Sequence, residues 1–86
     1  MKYIIISFKS RNDTYEFAKI LKTNGVILNI INTPRVIASS CSLSIKTDYK
    51  NYNLVTYIIR NSNANSLIGV YLIEQIGFSQ NVQKIL

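Results

Sequence analysis

The chain alternates short apolar runs with polar segments, and the spacing of the apolar positions differs between them. Residues 3–8 form an apolar run rich in β-branched side chains, which is typical of a strand buried on both faces. Between Ser10 and Gly25 the apolar residues recur every three or four positions, which predicts an amphipathic helix. Ser10 and Asp13 resemble a capping box at its start, and Asn24-Gly25 is a typical helix end.

The same patterns predict the elements in the rest of the chain. Residues 26–31 form a second apolar run, and residues 43–46 alternate apolar and polar side chains as in a half-buried strand. Asp48 can cap a second helix that ends near Arg60, and residues 68–73 form a fourth strand. The last ten residues, 77–86, match no single pattern and are assigned to no element.

The predicted order is strand, helix, strand, strand, helix, strand. With right-handed crossovers, this is a ferredoxin-like βαββαβ sandwich of the α+β class, with a four-stranded antiparallel sheet and two helices on one face. At 86 residues, the chain is expected to form a single domain, residues 1–86. The uncovered sheet face is expected to carry Ile27 and Ile31, which would favour a homodimer that buries it.

The composition excludes several classes of chemistry. With one cysteine and no histidine, the chain can form neither an internal disulfide nor the common zinc sites, and it lacks histidine-based catalysis. Its four carboxylates are explained by helix caps or the surface, so we expect neither a stand-alone enzyme nor a resident cofactor. No apolar run is long enough to span a membrane and no signal peptide is evident, so a cytoplasmic location is predicted.

The net charge of +6 raises the alternative of an anionic partner. Six tyrosines and three phenylalanines on a ferredoxin-like sheet are compatible with base stacking, as in RNA-binding domains. However, the basic residues are scattered, and the third strand offers Leu43 and Ile45 instead of aromatic side chains. A small nucleic-acid-binding or regulatory module that dimerises through its sheet is therefore kept as the second interpretation.

Cys41 is the only strong nucleophile of the chain. A reactive cysteine needs N–H donors or a cation nearby to lower its pKa below the free value of about 8.5. Arg35 is the nearest cation in sequence, and Ser39 and Ser40 precede the thiol directly. Pro34 fixes its own φ and would stiffen the segment. Composition alone nevertheless favours a small buried thiol without reactivity.

The segment around this cysteine resembles the signature of small bacterial selenium/sulfur carrier-like proteins. It reads Thr33-Pro34-Arg35-x-Ile37-x-Ser39-Ser40-Cys41-x-Leu43-Ser44. The opening strand with Phe8-x-Ser10, the helix ending in Asn24-Gly25 and residues 69–71 are similar to that family as well. Ser42 departs from the pattern, in which a glycine is expected.

The resemblance implies a carrier function centred on Cys41. The thiol would accept sulfane sulfur or selenium from a cysteine desulfurase-type donor, hold it as a persulfide or selenopersulfide, and pass it to an unknown acceptor protein. Arg35 would stabilise the anionic sulfur, while Ser39 and Ser40 would donate hydrogen bonds to it. Pro34 would shape the segment that carries them.

Overall fold

The computed structural model describes residues 1–35, 37, 43–62 and 66–86. The elements are β1 (Lys2–Phe8), α1 (Arg11–Thr23), β2 (Leu28–Asn32), β3 (Leu43–Asp48), a 3-10 turn (Tyr49–Asn51), α2 (Tyr52–Arg60), β4 (Leu67–Ile76) and β5 (Ser79–Lys84). The strands form one sheet in the order β2-β3-β1-β4-β5, and every neighbouring pair is antiparallel. One end of the sheet, where β1, β2 and β5 finish and β3 and β4 begin, is called the loop end below.

Both helices pack on one face of the sheet. Alternate residues of β1 point toward them, since side chains along a strand alternate between its faces. They form a core with the buried residues of the two helices and of β3 and β4: Ile4, Ile6, Phe8, Phe17, Ala18, Leu21, Ile45, Val55, Ile59 and Val70. The α+β class and the placement of two helices on one face of an antiparallel sheet are thereby confirmed.

The ends of α1 are set by local contacts. The Ser10 Oγ accepts the backbone N–H of Asp13 at 3.3 Å, as half of a capping box. The Asp13 carboxylate instead accepts the Ser66 hydroxyl at 2.5 Å, which ties α1 to the start of β4. Gly25 ends the helix with φ +80°, a left-handed conformation that glycine adopts at little cost.

The prediction of four strands is wrong, because the C-terminal tail forms a fifth. Gly77, with φ +58°, occupies the first position of a two-residue turn between Ile76 and Ser79, as in a type II′ hairpin. β5 then pairs with β4 along the sheet edge. Five of its six side chains are exposed, so its sequence carries no apolar alternation from which a strand could be recognised.

The opposite face of the sheet, called the helix-free face below, carries Tyr3, Ile5 and Ser7 of β1. Ile5 is only 2% exposed although no described helix covers it, and Ile73 of β4, the ladder partner of Tyr3, is 1% exposed. Ile31 is half-buried on this face, whereas Ile27 precedes β2 and is 84% exposed. Of the two residues expected on this face, Ile31 thus lies within a strand and Ile27 lies just before it.

Neither α1 nor α2 is long and apolar enough to cross a membrane, and they are the α-helices of the described residues.

Candidate functional site

The structure describes part of the predicted site. Pro34 is half-buried and Arg35 is exposed, just after the end of β2. Ser39, Ser40 and Cys41 lie outside the described residues. The described part of the site consists of the two ends of the connection between β2 and β3, residues 33–42.

These two ends are anchored on neighbouring strands. Asn32 and Leu43 are the last pair of the antiparallel ladder between β2 and β3, so the chain leaves and re-enters the sheet at the loop end. The carbonyl of Pro34 accepts the N–H of Ile37 at 3.0 Å, which closes a turn around Arg35. The exposed guanidinium of Arg35 is therefore held on a short turn directly after a strand.

Three hydroxyl groups connect this turn to the centre of the sheet. The Ser7 and Ser44 Oγ atoms lie 2.7 Å apart, and the Ser44 Oγ lies 2.6 Å from the Thr33 Oγ1. Ser7 and Ser44 are fully buried, and they face each other in the ladder between β1 and β3. Because buried hydroxyls need partners, this chain of hydrogen bonds constrains the relative positions of β1, β3 and Thr33.

Ser7 was not recognised from the sequence, although a signal was present. It is the single serine or threonine within the apolar run of β1, where an unpaired polar group would be costly. Its role could be recognised only by pairing it with Ser44, which belongs to another strand. Ser44, in contrast, is part of the segment that resembles the carrier-like signature.

On its other side, Ser7 faces Gly69 of β4. A Cβ atom at Gly69 would lie 2.9 Å from the Lys84 Cε, 3.0 Å from the Leu86 carbonyl oxygen and 3.1 Å from the Tyr71 Cε2. The lysine stem and the tyrosine ring thus lie over a position that only glycine leaves open. The contacts that run from Thr33 through Ser44 and Ser7 therefore continue past Gly69 to Lys84 of β5.

The loop end is rich in cations. Five exposed basic residues from four parts of the chain are brought there by the topology: Lys9, Arg11, Arg35, Arg60 and Lys84. None of them forms an ion pair within 4.0 Å among the described residues, whereas Lys2 and Glu74 pair at 3.4 Å at the opposite end. The acidic Asp13 at the loop end accepts the Ser66 hydroxyl. This end therefore favours an anionic group or an acidic partner surface.

The described residues contain no group of three or more His, Cys, Asp and Glu side chains that could hold a metal ion. Apart from the Asp13 carboxylate, the charged side chains described at the loop end are guanidinium and ammonium groups, and the hydroxyls of Ser7, Thr33 and Ser44 lie beside them. Such groups can orient or stabilise an anion, and they are poor ligands for divalent cations.

A small α+β protein with an anchored loop and a cationic end has the features of a binding or carrier domain. Residues 2–67 match the family described as "Putative Se/S carrier protein-like", and the chain belongs to that family. The match extends from β1 to the first residue of β4 and includes the whole segment 33–44. Residues 69–71, also predicted to be similar to the family, lie beyond it. No match was found among the curated proteins or among the solved structures.

Proposed function

We propose that the protein carries sulfane sulfur or selenium on Cys41 and transfers it between a donor enzyme and an acceptor. The observation that carries this proposal is the family match over residues 2–67, which includes the only thiol of the chain. A carrier of this kind needs a nucleophilic sulfur and a docking surface, and it needs no acid–base pair. The protein is accordingly proposed to act as a carrier and not as an enzyme.

The proposed chemistry is a thiol–persulfide exchange. The Cys41 thiolate attacks the terminal sulfur of a donor persulfide, the S–S bond of the donor breaks, and the donor cysteine leaves as its thiolate. The transferred atom arrives as sulfane sulfur, so no further oxidant is required. An acceptor nucleophile then attacks the terminal atom and releases the Cys41 thiolate. Selenium would follow the same route from a donor S–Se group.

The absence of a second cysteine supports this scheme. A neighbouring thiol within the chain could attack the inner sulfur, form a disulfide and expel the cargo. The chain contains no such thiol. The persulfide on Cys41 would therefore persist until an external acceptor arrives, and a cytoplasmic location would keep the empty thiol reduced.

Arg35 is the proposed stabiliser of the anionic sulfur. Its guanidinium is exposed, and among the described residues no carboxylate neutralises it within 4.0 Å. The turn that Pro34 closes with Ile37 and the hydrogen bond between Thr33 and Ser44 support its backbone position. Ser39 and Ser40 are proposed as hydrogen-bond donors to the same sulfur.

The proposal is tested by intact-mass measurement after incubation with a cysteine desulfurase and cysteine. We expect the wild-type chain to gain the mass of one sulfur atom, and we expect a reducing thiol to remove it. The Cys41→Ser variant should gain nothing, because a hydroxyl cannot accept sulfane sulfur at neutral pH. A wild-type chain that stays unmodified while the desulfurase is demonstrably loaded would contradict the proposal.

The role of Arg35 gives a second prediction. Neutralising it in Arg35→Gln should raise the pKa of Cys41 and slow its alkylation at neutral pH about two- to fivefold, the range expected for an exposed charge pair. The rate of iodoacetamide reaction against pH measures this. Arg60→Gln removes an equal charge from the end of α2 and serves as the control. Equal alkylation rates in the two variants would show that Arg35 has no specific role.

We also infer that β1–β4 and the two helices form a ferredoxin-like arrangement, with β5 added to its edge. Support comes from the strand order β2-β3-β1-β4, from the antiparallel pairing throughout, and from both helices lying on one face. Each helix would connect two strands that are not neighbours in the sheet. The carrier segment would then be the connection between the second and third strands.

The second candidate function, nucleic-acid binding by the helix-free face, has one observation in its favour. Tyr3 and Tyr71 lie on this face, on the neighbouring strands β1 and β4. However, the Lys46 Nζ lies 4.4 Å from the Tyr3 ring centroid and occupies one side of the ring, and Tyr71 packs against Gly69. Binding of single-stranded RNA that falls steeply with salt and is lost in Tyr71→Ala would favour this function. The absence of such binding would rule out this second function.

A further inference from the structure

A cleft of about 330 Å³ opens at the end of the sheet opposite the loop end. Its walls come from the starts of β1 and β2, the end of β3 and the 3-10 turn. The volume lies at the lower end of the range of about 300–1,000 Å³ that is typical of small-molecule sites. Because Cys41 belongs to the connection at the other end of β2 and β3, the carrier segment does not account for this cleft.

The charge of the cleft is predominantly positive. Its lining includes Lys2, Lys46 and Lys50 against the single carboxylate of Asp48. Lys2 is paired with Glu74 at 3.4 Å, and Lys46 lies over the ring of Tyr3. Lys50 is exposed and has no carboxylate within 4.0 Å among the described residues.

Asp48 does not cancel this positive charge. Its Oδ1 accepts the backbone N–H of Lys50 at 2.9 Å, so the carboxylate caps the start of the 3-10 turn. The partial positive charge of that N–H group offsets part of its field. The ammonium groups of Lys46 and Lys50 are thus left to attract an anion. Met1 also lines the cleft, and its amino terminus donates to the Gln75 carbonyl at 3.2 Å.

The rim of the cleft is apolar and held in place. Ile27 lines the cleft and is 84% exposed, so its side chain offers apolar surface to a ligand. Its carbonyl accepts the Thr47 hydroxyl at 2.9 Å, and that hydroxyl in turn accepts the Asn51 Nδ2 at 2.9 Å. These bonds join the start of β2 to β3 and the 3-10 turn, so the wall is formed before any ligand arrives.

We propose that this cleft binds a small organic carboxylate with an apolar body. The carboxylate would lie between Lys46 and Lys50, while the apolar body would cover Ile27 and the neighbouring Tyr3 ring. A carboxylate is favoured over a phosphate group because no arginine lines the cleft to form a bidentate pair. The apolar rim would also be left uncovered by an inorganic anion. This site is independent of the proposed carrier function.

The proposal is tested with hexanoate as the probe and 1-hexanol as its neutral counterpart, by NMR titration of the full chain. Hexanoate should produce saturable shifts of the backbone amides of Asn29, Lys46 and Lys50, with the amide of Ser44 at the loop end unchanged. Hexanol should bind at least about fivefold more weakly, since it lacks the charge that the two lysines recognise. Equal binding of the two probes, or shifts centred on the loop end, would overturn the proposal.

Substitutions in the cleft test where the carboxylate and the apolar chain of the ligand bind. Lys46→Gln and Lys50→Gln should each weaken hexanoate binding about two- to fivefold and leave hexanol unaffected. Ile27→Ser should weaken both probes, because both bury their chains on this residue. Lys19→Gln removes the same charge from the exposed surface of α1, outside the cleft lining, and is the control. An equal loss in Lys19→Gln and Lys50→Gln would show attraction by net charge alone and would refute a site in the cleft.

Discussion

Replacing Phe8 by alanine is expected to lower the free energy of unfolding by about 3–5 kcal/mol. Phe8 is fully buried at the end of β1, and its ring centroid lies 5.4 Å from that of Phe17 on α1. Truncation would lose the apolar burial of the ring, leave a cavity between sheet and helix, and remove the aromatic contact. Since small domains are stable by about 5–15 kcal/mol in total, much of the stability would be lost.

Urea unfolding followed by circular dichroism measures this loss. The chain offers a matched control, because Phe78 is fully exposed at the tip of the β4–β5 hairpin. Phe78→Ala should change the unfolding free energy by less than about 0.5 kcal/mol. Similar losses in the two variants would show that Phe8 does not hold α1 against the sheet as described.

Removing the Ser44 hydroxyl in Ser44→Ala is expected to cost about 1–3 kcal/mol of stability. Ser44 is the middle member of the hydroxyl chain, so its loss takes a partner from the buried Ser7 and from Thr33 at once. A buried hydroxyl that loses its partner bears the full cost of its desolvation. Ser79→Ala, at an exposed position of β5, is the control and should be close to neutral.

A double-mutant cycle separates this hydrogen bond from general packing. The double variant Ser7→Ala/Ser44→Ala removes both partners of the 2.7 Å contact, so it should cost less than the sum of the two single variants. We expect a coupling energy of about 0.5–3 kcal/mol, as for groups in direct contact. Strict additivity would show that the two hydroxyls do not stabilise each other.

The sequence predicted correctly those elements that depend on interactions between residues close together in the chain. α1 was predicted with its cap at Ser10 and its end at Gly25, and both are confirmed. These signals are local, because a cap, a glycine end and a helical period each act within a few residues. β1 was recognised for the same reason, from a run that reads apolar on both faces.

The failures came from contacts between distant parts of the chain. β5 is a polar strand that forms by pairing with the edge strand β4, and no pattern within Ser79–Lys84 predicts it. The Ser7–Ser44 pair depends on the register of β1 and β3, which are separated by a helix and another strand. Neither feature could be recognised before the pairing of the strands was known.

The residues alone determined the family of this protein and the single thiol that its proposed function requires, since both are properties of the residue string. Tertiary structure alone decided which side chains share a surface. It gathered the five cations at the loop end, and it formed the cleft of Lys46, Lys50 and Ile27 at the other. The physical reason is that antiparallel connections bring residues far apart in the chain to the same end of a sheet, where their charges and apolar surfaces act together.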